Sequence, residues 1–250
     1  MIMLVVAAVS AVAAADPVYV YVDVSNTGYE DGSADDPWNT IAEGIEHASS
    51  GYVIRVVPGT YYEHDLDING IHIEITSWDP QTGDPDTEGT LIDAHENGRV
   101  LWARNMLPSP IIITGFTIQN GVDDLGGGVA IASANVQMNA CRIQGCSAIS
   151  STYGGGGIYI DSSSVVTLSG CTVSGNSAWD GGGIYVVNSS LRLQDDCTIG
   201  GNMACYGAGG GIYCTGSTLA MVDCDVTHNG YVEFSHFTGI GGGIAADLRS

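Results

Sequence analysis

The residues best suited to chemistry lie in five stretches that run up to glycine triplets: GVDDL, SAISSTYG, SAWD, MACYGA and GYVEFSHFTGI. They carry Asp124, Tyr153, Trp179 with Asp180, Tyr206, and Glu233 with Phe234, His236 and Phe237. Aromatic rings beside carboxylates, recurring once per repeat, suit a sugar chain. Ring faces stack on the sugars, and acids take hydroxyls or Ca²⁺. The competing reading is that the rings cover loop backbone and fill gaps between repeats.

Other polar groups are weaker candidates. Asp31, Asp35 and Asp36 sit in the turn-rich segment SNTGYEDGSADDP and could hold Ca²⁺, which takes several oxygen ligands, although the spacing is not that of an EF-hand. A solvated loop explains them as well. A glycosidase needs two carboxylates flanking the scissile bond, and Asp93, Asp123, Asp124 and Asp180 are available, but acids in glycine-rich loops are common turn residues. His95, His228 and His236 are scattered with no nucleophile or metal partner in their spacing.

The elements that position these residues are repeats. GGGIYIDSSSVVTLSGCTVSGN from Gly155 to Asn176 recurs from Gly126, Gly181 and Gly209, and GGGIA opens a further copy at Gly241. A constant core with a variable insert marks a solenoid whose loops share one face. Short alternating β-formers such as Ile158-Tyr159-Ile160 and Val166-Thr167-Leu168 fill each copy, with no helical periodicity. The reading is an all-β, single-stranded right-handed parallel β-helix, a solenoid with a short N-terminal capping helix.

Stacking coils in register predicts three columns. Val129, Ile158, Ile184, Ile212 and Ile244 form an aliphatic one; Cys141, Cys171, Cys197 and Cys224 form the second; Asn176, Asn202 and Asn229 form a third, whose amides would bond up the stack. Tyr159, Tyr185 and Tyr213 fall between inward positions and should point outward.

Residues 1–15 read as a secretory signal ending in an A-x-A site, without the usual basic start. Residues 16–51 give a strand, the acidic loop and the capping helix, marked by a Thr40 to Glu43 capping box and by Ile41, Ile45 and Ala48 on one face. Residues 52–250 form the β-helix, expected to continue beyond the C-terminus. Seven cysteines in an exported chain invite disulfides, with Cys141–Cys146 or Cys205–Cys214 as candidate bridges, but the stacked four would serve equally as small buried hydrophobes. A net charge of −22 excludes ordinary nucleic-acid binding and disfavours an anionic membrane surface. No later segment is apolar enough to be a transmembrane segment.

Pro37-Trp38-Asn39-Thr40-Ile41, Val57-Pro58-Gly59-Thr60-Tyr61, Gly115-Phe116-Thr117-Ile118 and the GGGIY and CTxxxN units together resemble the secreted parallel β-helix proteins of the pectin-lyase-like superfamily. The repeats are also similar to those of chlamydial polymorphic outer-membrane proteins. The resemblance implies fold more than activity: that superfamily holds polysaccharide lyases, hydrolases and epimerases, and also adhesins. Its calcium-dependent lyases need a Lys or Arg as base. This chain has no Lys, and Arg142 and Arg192 fall in no recognisable lyase motif. The Gly-His-Gly and Arg-Ile-Lys motifs of polygalacturonases are missing. The expected function is an exported or cell-surface, acidic binding module contacting polysaccharide or cell-surface glycan, requiring no cofactor, with Ca²⁺ as the one ion considered. The alternatives are a polysaccharide lyase or glycoside hydrolase, or a structural stalk or adhesin.

Overall fold

The computed structural model describes residues 16–83, 89–150, 154–231 and 242–247. The segment read as a secretory signal lies outside the described residues. The repeats stack as parallel coils whose strands assemble into three sheets. The longest runs from Tyr19–Val22 through Val53–Val56, Glu74–Ser77, Leu101–Thr114 and Val129–Asn139, then up the strands that follow each glycine triplet to Ile244–Asp247. The second holds seven strands, from Gly59–Tyr61 and Thr90–Asp93 to Asp225–Thr227. The third is narrow and contains Val122–Asp123, Ser147–Ala148, Ser177–Ala178, Met203–Ala204 and Gly230–Tyr231.

Register follows the columns read from the sequence. Val129 pairs with Ile158, Ile158 with Ile184, Ile184 with Ile212, and Ile212 with Ile244. Beside the cysteines, Thr172 N donates to Cys141 O, Thr198 N to Cys171 O, and Asp225 N to Cys197 O, each at 2.9 Å. Cys171 N also donates to Cys197 Sγ at 3.3 Å. All seven cysteines are free thiols, and neither candidate bridge is formed.

The glycine triplet is required on steric grounds that differ at each position. Gly155 adopts φ +75°, in the left-handed region. A Cβ on Gly156 would lie 2.2 Å from Ser177 O, and one on Gly157 would lie 2.7 Å from Gly183 O and 2.9 Å from Asn176 Nδ2. The asparagine column occupies the space so cleared. Asn176 Nδ2 donates to Ile143 O and to Asn202 Oδ1, while Asn202 Nδ2 donates to Val173 O and to Asn229 Oδ1. Each amide thus satisfies buried backbone and its neighbour together.

The tyrosines are more covered than expected. They alternate with core residues Ile158, Ile160, Ile184 and Val186 and stack ring on ring, 5.6 Å from Tyr159 to Tyr185 and 5.0 Å from Tyr185 to Tyr213. Tyr185 is only 4% exposed, because its neighbours in the column cover both ring faces.

A single helix among the described residues, Ile41–Glu46, is shorter than the sequence pattern suggested. Thr40 Oγ1 accepts Glu43 N at 3.2 Å, and Glu63 carboxylate oxygens accept Ile41 N and Ala42 N at 2.7 and 2.9 Å. Ile41 and Ile45 are buried, whereas Ala48 lies past the helix and packs partly buried against the core. No helix among the described residues is long and apolar enough to cross a membrane.

Candidate functional site

Trp179 and Tyr206 are the described aromatics of the loop set. Both follow strands of the third sheet, Ser177–Ala178 and Met203–Ala204, which pair in parallel. Consecutive loops therefore leave the same edge one coil apart. Three backbone hydrogen bonds lace them together: Cys205 N to Ala178 O, Gly207 N to Trp179 O and Gly181 N to Ala208 O, at 2.7 to 2.9 Å. The lacing sets the rings at 4.6 Å between centroids and 28° between planes. Tyr206 remains 51% exposed. The pair is a small aromatic platform of the kind that stacks on a sugar ring.

The carboxylates of this flank divide into two kinds. Asp180 Oδ1 accepts Ala208 N at 2.5 Å, tying one loop to the next. Burial pushes its carboxyl above the usual range, against the lowering effect of that bond. Asp180 therefore holds the Tyr206 loop in place. Asp124 is exposed at the end of its loop, and the adjacent Asp123 pairs with Arg99 Nη2 at 3.0 Å. Arg99 also donates to Leu125 O and lies 5.0 Å over the Trp102 ring. Tyr153, Glu233 and Phe237, with Phe234 and His236, lie outside the described residues.

The acidic loop is organised as turns. The Ser33 hydroxyl first, and then Ser33 N, which donates to Asp31 Oδ1 at 2.9 Å, hold the Asp31 carboxyl below its usual range, and Asp36 O accepts both Asp31 N and Gly32 N. Asp35 lies between them in the same run of bends. Among the described residues no group of three or more His, Cys, Asp or Glu side chains is placed to hold a metal ion.

A second polar region escaped the sequence reading. A cavity of about 300 Å³ is lined by Tyr62, His64, Asp93, Ala94, His95 and Asn97. Asp93 accepts His95 N, Gln119 Nε2 and Asn120 Nδ2 at 2.8 to 3.0 Å. Burial works to raise its pKa, but these donors and the adjacent imidazole outweigh it and hold Asp93 below the usual carboxylate range. His95 Nδ1 lies 3.4 Å from Asp93 Oδ1, and His64 Nδ1 lies 2.9 Å from Asp65 Oδ2. The Tyr62 ring meets the His95 ring edge-on at 4.8 Å. The signal was register: Tyr61 pairs with Ile92, so Tyr62 and His64 fall beside Asp93 and His95 on the next coil. The early coils lack the glycine triplets that make that register readable. Asp123 and Asp180 have their own partners elsewhere, so the carboxylates named in the sequence do not gather at this cavity.

Arg192 is exposed and donates to Gln194 Oε1 along its own strand, as an ordinary outward residue would. Burial pushes the Cys146 thiol up to about 12, so it stays protonated at neutral pH and is a poor nucleophile.

The family model described as "Right handed beta helix region" matches residues 91–250. Two solved structures are similar. The rice weevil pectin methyl esterase is 13% identical, with a TM-score of 0.43 over 82% of this chain and 69% of that one. The pectin methylesterase from carrot is 14% identical, with a TM-score of 0.41 over 95% and 90% of the respective chains. No curated protein matches in sequence.

Proposed function

Since the chain belongs to the right-handed β-helix family, we propose that it is an exported, acidic surface module that binds glycan or another cell-surface polymer along the flank where loops leave the third sheet. The observation that carries this reading is the laced, half-exposed Trp179–Tyr206 stack. The exposed Asp124 would offer its carboxylate to sugar hydroxyls or to a Ca²⁺ shared with them. Tyr153, Glu233 and Phe237 are proposed as further glycan contacts on the strength of their repeat positions in the sequence alone. Asp31, Asp35 and Asp36 serve the loop before the helix, with Ca²⁺ as an accessory at most. The helix Ile41–Glu46, which buries Ile41 and Ile45, would serve to close the N-terminal end of the core, as solenoid ends require.

The test is retention on a panel of immobilised polysaccharides. Trp179→Ala should weaken binding about tenfold, from the loss of about 1 to 1.5 kcal/mol of stacking. The fold should survive, because the ties between the loops are backbone bonds that the substitution leaves in place. Unchanged retention would remove the reading. Release of reducing ends or unsaturated uronate from the panel would favour a β-helix hydrolase or lyase instead. Surface attachment with no glycan retained would favour a stalk.

A further inference from the structure

We propose that His64 and His95 form a binding site for a divalent transition-metal ion of the Zn²⁺, Ni²⁺ or Cu²⁺ class. Three observations carry it. First, three residues on from the Tyr61–Ile92 pair stand His64 on one coil and His95 on the next, and both imidazoles line one cavity. Coils one strand spacing apart, roughly 4.8 Å, bring two such side chains within reach of one ion.

Second, each ring has a carboxylate beside its Nδ1, hydrogen-bonded in His64 and adjacent in His95. His64 Nδ1 lies 2.9 Å from Asp65 Oδ2, and His95 Nδ1 lies 3.4 Å from Asp93 Oδ1. The Asp65 carboxylate, ionised, only accepts, so His64 Nδ1 carries the proton and its lone pair is left on Nε2. A carboxylate behind the far nitrogen is the arrangement that orients metal-bound histidines and raises their basicity.

Third, both rings are reachable while their surroundings are pinned. The side chains are 45% and 60% exposed. Around His95, the backbone is fixed by His95 N to Asp93 Oδ1, Glu96 N to Asn120 O and Asn97 N to Ala94 O, and Tyr62 rests against the ring. The site is thus organised before the ion arrives.

The chemistry selects the ion. Imidazole nitrogen suits Zn²⁺, Cu²⁺ and Ni²⁺, whereas Ca²⁺ and Mg²⁺ prefer oxygen. A net charge of −22 raises the local concentration of any cation. With no third His, Cys, Asp or Glu converging among the described residues, this is an open site of two protein ligands, its remaining positions filled by water or by a bound molecule.

The experiment is isothermal titration of the full chain with ZnCl₂ and NiCl₂, with CaCl₂ as the contrast. Folding of each variant is verified by circular dichroism. The wild type should take up one transition-metal ion per chain and show no comparable heat with Ca²⁺ at this site. His64→Ala and His95→Ala should each weaken binding at least tenfold. Asp65→Asn, which keeps the ligand but loses the brace, should weaken it about tenfold. In NMR spectra, Ni²⁺ should broaden the His64 and His95 ring signals before those of the other histidines. No uptake by the wild type would overturn the proposal, and so would uptake that both histidine variants retain in full. Polysaccharide retention by Trp179 and Tyr206 does not depend on either result.

Discussion

Gly182→Ala is expected to prevent the repeats from folding, or to cost more than about 4 kcal/mol if a folded form survives. An added Cβ would stand 2.2 Å from Met203 O, 2.4 Å from Met203 C and 2.7 Å from Met203 N. All three atoms are backbone, and the third sheet fixes them by pairing Met203 with Ser177 on the coil below and with Gly230 on the coil above. No rotamer change can relieve the contact, so the coils themselves must separate. Gly28→Ala is the control. Its Cβ would meet only Asn26 Oδ1 at 3.4 Å, and the change should stay within about 0.5 kcal/mol. Urea unfolding followed by far-ultraviolet circular dichroism measures both. A fully stable Gly182→Ala protein would mean that the third sheet does not pack as described.

Asn202→Ala should be the next most damaging, by about 3 to 5 kcal/mol. Asn202 is 1% exposed, and its side chain works in both directions along the stack. Oδ1 accepts Asn176 N and Asn176 Nδ2, while Nδ2 donates to Val173 O and Asn229 Oδ1. Truncation strands Asn176 N away from water at about 1 to 3 kcal/mol, removes one of the bonds to Val173 O and the bonds to Asn176 Nδ2 and Asn229 Oδ1, and leaves a cavity besides. Asn202→Asp separates the two contributions. It keeps the volume and the acceptor but brings an acceptor against Val173 O and Asn229 Oδ1, so it should also destabilise. At the first repeat the column ends in Cys146, whose N donates to Asn176 Oδ1 at 2.9 Å. A stable Asn202→Ala variant with an unchanged midpoint would show that the amide column contributes nothing.

These two positions also show why the fold was legible. Gly182 and Asn202 recur at fixed places in each repeat, and a stacked solenoid turns sequence period into spatial register, so columns could be written down residue by residue. Where the period weakens, reading by column fails. His64 and Asp93 belong to coils without glycine triplets, and only the pairing of Tyr61 with Ile92 brings them together. Tyr185 was legible in direction but not in burial, because column stacking covers an outward ring as fully as a core covers an inward one. The helix reached only Glu46, since the segment from Ala48 to Tyr52 closes in turns, with Ala48 N on Ile45 O and Tyr52 N on Ser49 O. At the flank, sequence spacing placed Trp179 and Tyr206 one coil apart, but it could not tell that Asp180 would be occupied with Ala208 N. Free acids and clamping acids look alike until the loop backbone is placed.

The most direct test of the stacking on which everything else rests is to locate the native sulfur atoms by long-wavelength anomalous diffraction, at a resolution finer than the rung spacing. The account requires the sulfurs of Cys141, Cys171, Cys197 and Cys224 to lie in one row, with successive members roughly 4.8 Å apart. Sulfur positions scattered through the molecule, or neighbours separated by more than about two strand spacings, would contradict it.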